Sequence, residues 1–286
     1  MIVVAGGTGR LGSAVVTRLL AAGEEVRVMS RGLTGDLPSG AEHVRGDVRS
    51  AGEAARVVQG ADVVVSAVQG FAGPGGVTPR SVDREGNSNL IRAAADVGAD
   101  FVLVSLTHTA PGSPLEIARE KYAAEQTLRE SGVGWTVVRA AAFAELWVQL
   151  LEETARRSQR PLVFGRGHTP IWWVSVDDVA AEVVRAALDP GTRGRTIDVI
   201  GPEGLTLEEL AQKVMTAHGW TGRPRHVRPV ALRVASWTVG LVVPVVARRT
   251  RAALAMDRLA PEDASVQAEA RHRRTVDDLL AATVTA

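Results

Sequence analysis

The 286-residue chain contains no cysteine. That absence excludes disulfides, a thiolate nucleophile, and zinc or iron–sulfur centres built on cysteine. Lysine is almost missing too: of 33 basic residues, only Lys121 and Lys213 are lysines. Arginine thus serves nearly everywhere that a solvated cation suffices. A lysine kept in that background points to chemistry, because Lys can change protonation state and Arg effectively cannot. Lys213 lies in an ordinary surface-helix pattern, which leaves Lys121 as the lysine of interest. Aromatic residues make up 4% of the chain, and Tyr122 is its only tyrosine. Charge of one sign is also lacking: the formal net charge is +1, and basic and aromatic residues do not interleave, so no nucleic-acid partner is expected.

Long hydrophobic runs are absent as well. The uncharged stretch 234–247, flanked by Arg233 and by Arg248, Arg249 and Arg251, is broken by Gly240 and Pro244. It is shorter than the roughly 20 residues that a bilayer span requires, so no stable membrane insertion is expected. It reads as a helix packed over a substrate cleft or in a homodimer seam; a shallow contact with a membrane surface or an apolar partner is the competing reading. With no secretory apolar region behind a basic start, a cytoplasmic location is expected. The six histidines, among them His43, His168, His218, His226 and His272, lack the short spacings of a zinc site, and no metal is expected.

What the chain does have opens it. Ile2-Val3-Val4-Ala5 makes a short buried strand, and Gly6, Gly9 and Gly12 follow at once. That spacing gives a tight turn, a close backbone approach to a pyrophosphate, and close packing of the next helix on the sheet. Gly6, Thr8, Gly9, Arg10, Leu11 and Gly12 are therefore candidate cofactor-binding residues, with the helix N-terminus favouring phosphate charge.

Strand and helix patterns then alternate. Apolar strands are read at 25–30, 41–45, 62–68, 101–105 and 135–139, and helices at 51–59, 84–97 and 115–130. The implied class is α/β, a Rossmann-type doubly wound parallel sheet, with a smaller C-terminal substrate lobe. The expected division is 1–143 for the dinucleotide-binding domain and 144–286 for the lobe and C-terminal helices, with strands returning to the sheet near 171–176 and 196–200. Thr206 and Glu209 form a capping-box pattern at the start of a helix.

About 20 residues past the glycines, where an acidic residue would bind a ribose 2′-hydroxyl, the chain reads Ser30-Arg31-Gly32. Arg31 offers a planar cationic fork suited to a 2′-phosphate, so NADP(H) is the expected cofactor. Asp47 and Val48 lie where the adenine ring sits, Asp47 having a helix N-cap as its alternative role. Ala67 and Val68 follow Ser66 at the end of the fourth strand, where ligands bind in such sheets.

Together with Gly6-Gly7-Thr8-Gly9-Arg10-Leu11-Gly12, the segments Gly46-Asp47-Val48, Gly86-Asn87, Val102-Leu103-Val104-Ser105, Lys121 with Glu125, Ser131-Gly132, Thr136 and Arg139 carry a family likeness. So do Val174-Ser175-Val176-Asp177-Asp178-Val179-Ala180 and Gly201-Pro202-Glu203 with Leu205-Thr206. Over residues 1 to about 215 the chain resembles the atypical short-chain dehydrogenase/reductases of the NmrA-like NAD(P)-binding group. The resemblance implies NADP(H) binding and reduction of an enone, quinone or imine-like substrate; the group also includes cofactor-sensing regulators.

One departure constrains the chemistry. Ile117 occupies the slot four residues before Lys121, so the Tyr-x-x-x-Lys pair of ordinary short-chain dehydrogenases is absent. By the resemblance, Lys121 is placed to bind the nicotinamide ribose or deliver a proton through water, and Ser105 stands where the ordinary family keeps its catalytic serine. An exposed pairing of Lys121 with Glu125 is the plainer alternative. His108 is a candidate proton source, its reference pKa lying near physiological pH. The family's proline after Arg139 is replaced by Ala140-Ala141-Ala142-Phe143; Phe143 is a candidate cofactor-binding residue and a candidate wall of an apolar pocket. Trp147, Trp172 and Trp173 are candidate walls of an apolar substrate pocket. The reading is an NADPH-dependent reductase of an apolar conjugated carbonyl or quinone; the alternative is a non-catalytic NADP(H)-binding redox sensor.

Overall fold

Ile2–Ala5 (β1) is apolar at every position and buried at every position, as a strand covered on both faces must be. The computed structural model describes residues 1–32, 37–71, 76–227, 251–255, 267 and 269–284; the apolar stretch 234–247 lies outside them. Contacts divide the chain into two compact units, Met1–Ala140 with Val176–Asp198 and Ala141–Ser175 with Val199–Ala286.

In the first unit, β1 is flanked by β2 (Val26–Ser30) and β4 (Val63–Ser66), with Val4 opposite Val28 on one side and Val65 on the other. Adding β3 (Glu42–Arg45), β5 (Asp100–Leu106), β6 (Trp135–Ala140) and β8 (Arg195–Val199) gives a seven-stranded sheet in the order β3-β2-β1-β4-β5-β6-β8. From β3 to β6 every neighbouring pair is parallel. Parallel neighbours need crossovers, and helices supply them. Helices α2 (Ala51–Val58), α3 (Glu85–Val97) and α4 (Glu116–Arg129) pack in a row. Their apolar faces close one core with Val3, Val64, Phe101 and Val137. Helix α1 (Arg10–Ala21) packs on α6 (Val176–Leu188), where Arg18 pairs with Asp177. The order reverses direction between β1 and β4, and a doubly wound sheet opens a ligand crevice at the carboxyl ends of such neighbours.

The second unit has its own core. Helix α5 (Ala144–Ala155), helix α7 (Leu207–Ala217) and the last helix, Val276–Val284, enclose Val148, Leu151, Val163, Trp173, Leu210, Val214 and Leu280. Two short strands, β7 (Leu162–Phe164) and β9 (Arg225–Val227), pair in parallel as a separate sheet. Residues 195–199 do join the main sheet, but 171–176 does not: Ile171 bridges Leu205, Val174 bridges Phe143, and both bridges lie inside the second unit. The apolar pattern there marks burial, as at Trp173 and Val174, rather than a full strand.

The capping box at α7 is fully formed. Thr206 Oγ1 accepts from the Glu209 amide at 3.1 Å, and Glu209 Oε2 accepts from the Thr206 amide at 2.8 Å. These bonds to Thr206, the backbone one foremost, hold the Glu209 carboxyl below its ordinary range. Thr206→Ala is expected to cost about 1 kcal/mol. Thermal unfolding checks this, and the expected fall in Tm is about 2–4 °C for a chain of this size.

Candidate functional site

The turn between β1 and α1 shows why its glycines are glycines. Gly6 adopts φ +82°, and a Cβ there would lie 2.9 Å from the Ala67 carbonyl oxygen. A Cβ on Gly12 would lie 2.1 Å from the Gly6 carbonyl oxygen, inside any contact distance. Gly9 caps α1 in an extended conformation without a side-chain cap, and its amide donates to Gly6 O at 3.0 Å. No acidic residue occupies the first turn of α1. The first amides of a helix have no partner within it and favour an anion. Gly9 and Arg10 are exposed, Thr8 is half-buried, and Leu11 sends its side chain into the core, so its contribution at the turn is backbone. Ala67 and Val68 leave β4 directly against this turn.

At the end of β2, exposed Arg31 lines a cavity of about 790 Å³ together with His43, Arg45, Asp47, Glu53 and Arg56. Ser30 and His43 form a hydrogen-bonded pair, Oγ to Nε2, at 2.8 Å. The N-cap of α2 is Ser50, not Asp47. Asp47 instead accepts two bonds from Arg49 Nε, at 3.1 and 3.0 Å, and one from Arg49 Nη2 at 2.6 Å. That guanidinium holds the Asp47 carboxyl below its ordinary range. Val48 is a core residue, 8% exposed, whose carbonyl accepts from Asn89 at 2.9 Å.

Lys121 is buried, and its neighbours differ from either sequence-based expectation. Its Nζ donates to Val104 O at 2.8 Å and to Val68 O at 3.0 Å, and lies 3.4 Å from Asp83 Oδ1. Two donors of the ammonium thus tie the carboxyl end of β4 to that of β5, and the third faces a buried carboxylate. Burial pushes the Lys121 pKa down, and the Asp83 charge opposes that shift. Burial likewise pushes the Asp83 carboxyl up, opposed by Lys121 and by the Gly70 amide, which donates to Asp83 Oδ2 at 2.8 Å. The supposed exposed pair with Glu125 does not form.

Glu125 has other partners. Its Oε1 accepts from Ser105 Oγ at 2.6 Å, Thr109 Oγ1 at 3.1 Å and Arg139 Nε at 3.0 Å, while Oε2 accepts from Arg139 Nη2 at 2.6 Å and Arg129 at 3.2 Å. Burial works against this carboxylate, but the bonds from Arg139 and Ser105 outweigh it and its pKa falls. Ser105 is thereby a buried donor within a structural network, 4% exposed, and not an open hydroxyl. His108, half-buried in the loop after β5, adopts φ +60°, a left-handed conformation uncommon for any residue but glycine. Ile117 is buried at 6% exposure, so nothing hydroxylic stands in the tyrosine slot.

Sequence reasoning missed Asp83 as the partner of Lys121. The available signal was an acidic residue four positions before Asn87 on a helical face that otherwise buries Val82, Gly86 and Leu90. The four aromatic candidates lie in the second unit. Phe143 is the N-cap of α5. Trp173 is 1% exposed, with its indole N–H on Leu205 O at 2.9 Å; it is core, and packing rather than pocket lining consumes its surface. Trp147 packs on Trp173 with ring centroids 5.4 Å apart and faces a small hollow with Phe164, Ile171 and Leu207. Half-buried Trp172 packs over Gly204. Among the described residues no set of His, Asp and Glu is arranged to hold a metal, and no helix is long and apolar enough to cross a membrane.

Comparison with known proteins agrees with this geometry. The chain is 31% identical to an NAD(P)H azoreductase of Xenophilus azovorans over 81% of its length and 77% of the relative's. It is 32% identical to the (4-alkanoyl-5-oxo-2,5-dihydrofuran-3-yl)methyl phosphate reductase of Streptomyces griseus, over 77% of this chain and 74% of the relative. In fold it is similar to the NADPH-dependent quinone oxidoreductase of Escherichia coli in its complex with NADPH, with a TM-score of 0.80, 19% identity and 99% of each chain covered. The profile of the NAD(P)H-binding family matches residues 6–190, spanning the glycine turn, the Arg31 cavity and the Lys121 cluster. With a glycine turn at the switch point of a parallel sheet, a family profile that matches residues 6–190 and an NAD(P)H azoreductase as a relative at 31% identity, the chain belongs to the NAD(P)H-binding family of Rossmann-fold proteins.

Proposed function

We propose that the protein is an NADPH-dependent reductase that delivers hydride to an apolar conjugated acceptor, a carbonyl or a quinone, without a tyrosine acid. The observation that carries this reading is the arginine-lined cavity beside the end of β2, the position at which a dinucleotide fold reads the ribose 2′ group. Two relatives above 30% identity with reductase names support the reaction class, and the second is named for a substrate with an acyl group on an unsaturated lactone.

The residues divide the work. The turn at Gly6, Gly9 and Gly12 and the first amides of α1 receive the pyrophosphate, Arg31 binds the 2′-phosphate, and Asp47 and Val48 flank the adenine. NADPH, when bound, supplies the hydride. Lys121 is a positioning residue: it holds the Val68 and Val104 carbonyls in place at the strand ends where the cofactor lies. His108, held by its loop after β5, is the proton source closest in character to the missing tyrosine. Trp147 and Trp172 recognise the apolar acceptor.

NADPH absorbance followed with a panel of quinones, enones and azo dyes tests the reaction, with NADH in parallel. Consumption with one acceptor class is the expected result. Tight NADPH binding with no turnover across the panel replaces the reductase with the cofactor sensor. Arg31→Ala is expected to weaken NADPH binding about tenfold or more, the loss of a charge-assisted contact, and to leave NADH binding within about twofold. Equal losses for both cofactors would show that Arg31 does not read the 2′ position.

A further inference from the structure

The Arg31 cavity contains a group whose charge is not fixed. His43 projects from β3 into the cavity wall and meets Ser30, the last residue of β2, through Nε2 at 2.8 Å. The Ser30 hydroxyl also donates to Gly32 O at 2.9 Å. A serine has one proton to give. With that proton on the Gly32 carbonyl, Ser30 Oγ is an acceptor towards His43, and Nε2 must carry the imidazole hydrogen. In that arrangement Nε2 is committed to Ser30, and Nδ1, which has no partner among the described residues, is the nitrogen left to meet a ligand.

We infer that His43 is a specificity-determining residue that reads the ribose 2′ substituent and makes the choice between NADPH and NADH depend on pH. This rests on the reading that the cavity is the 2′ subsite. A neutral Nδ1 only accepts a hydrogen bond, which suits a ribose hydroxyl. A protonated Nδ1 only donates, which suits a phosphate oxygen. Imidazole changes charge between pH 5 and 8, so acidification converts the same wall from one partner to the other.

Every neighbouring element contributes charge to this balance. Arg31 follows β2, Arg45 shares β3 with His43, Arg56 and Glu53 come from α2, and Asp47, paired with Arg49, follows β3. The Arg27–Glu42 pair joins β2 to β3 one register position away, at 2.7 Å. A dianionic 2′-phosphate beside His43 favours the protonated ring, so NADPH binding should take up a proton there. By linkage, the His43 contribution to the preference for NADPH rises as pH falls.

Dissociation constants for NADPH and NADH, measured from pH 8 to pH 6 on the wild type and on His43→Gln, test this. Glutamine keeps a donor for Ser30 without a titrating charge. The 2′-phosphate itself titrates near pH 6, so the diagnostic quantity is the difference between the two proteins. The NADH-to-NADPH ratio of dissociation constants should rise about tenfold more in the wild type than in the variant, the size of one charge-assisted hydrogen bond. Nitrogen-15 spectra of the wild-type His43 ring give a readout that needs no folded variant. The free protein at pH 8 should show hydrogen on Nε2, and saturating NADPH, but not NADH, should convert the ring to imidazolium. Parallel pH profiles, or a ring that stays neutral with NADPH bound, would overturn the inference while leaving the cofactor reading intact. Failure of the wild type to bind NADPH at any pH would remove the cofactor reading itself.

Discussion

Gly12→Ala is expected to abolish measurable NADPH binding, a loss of at least about 100-fold, and to lower stability at the same time. The added methyl would sit 2.1 Å from the Gly6 carbonyl oxygen and 2.8 Å from Gly7 Cα, both backbone atoms of the phosphate turn. No side-chain rotation relieves a clash between backbones. Either α1 moves off the turn, taking its first amides away from the pyrophosphate, or the turn opens and Gly6 leaves its positive φ. Both destroy the preorganised site proposed for the pyrophosphate at the N-terminus of α1. Gly52→Ala is the matched control: Gly52 lies in α2, nothing stands within 4 Å of the added methyl, and alanine in a helix is favoured over glycine by about 0.5–1 kcal/mol. Fluorescence titration with NADPH and thermal unfolding of both variants decide the matter. Wild-type affinity in Gly12→Ala would show that the turn does not need its close packing.

Lys121→Met carries the second large effect. Removing one partner of a buried ion pair costs about 3–5 kcal/mol, because the remaining charge is left in a poorly solvated site. Here that remainder is Asp83, fully buried, with the Gly70 amide as its other contact. The Val68 and Val104 carbonyls lose a donor together, so the ends of β4 and β5 loosen, and on the proposed function turnover falls with stability. Asp83→Asn in the same chain should restore about 1–3 kcal/mol, since it removes the stranded charge and keeps an acceptor for Gly70.

The pH dependence separates this account from general damage. Burial already raises the Asp83 pKa, and loss of the lysine removes the charge that opposed it. A carboxyl whose pKa is higher in the folded state binds more protons folded than unfolded, so its contribution is present below the ordinary carboxylate range and is lost as pH rises through the folded value. The stability of Lys121→Met should therefore decline from about pH 4 upward, and the double variant should lack that decline. Denaturant melts across pH give both curves. A Lys121→Met protein as stable and as active as the wild type at pH 7 would sink the positioning role.

The sequence by itself determined whatever depends on neighbours in the chain. Gly6, Gly9 and Gly12 announce the turn because steric limits act between residues a few positions apart. The hydrophobic periods of 51–59 and 115–130 announce helices for the same reason, and these form at Ala51–Val58 and Glu116–Arg129; Thr206 with Glu209 completes a cap within a single turn. The place of Arg31, directly after β2, was legible because a doubly wound fold fixes the distance from the glycines to the end of the second strand. Tertiary structure alone decided the pairings of buried charge. Lys121 meets Asp83 rather than its helical neighbour Glu125, because parallel crossovers bring α4 beside the turn that precedes α3 while Arg139 on β6 claims Glu125. The same holds for Ser30 with His43, for β7 with β9, and for Trp173, whose aromatic character suggested a pocket and whose burial makes it core. Spacing within a strand or helix is a local constraint that residue order carries. Which carboxylate neutralises a buried ammonium depends on desolvation and on distances set across the sheet, and no local pattern encodes them.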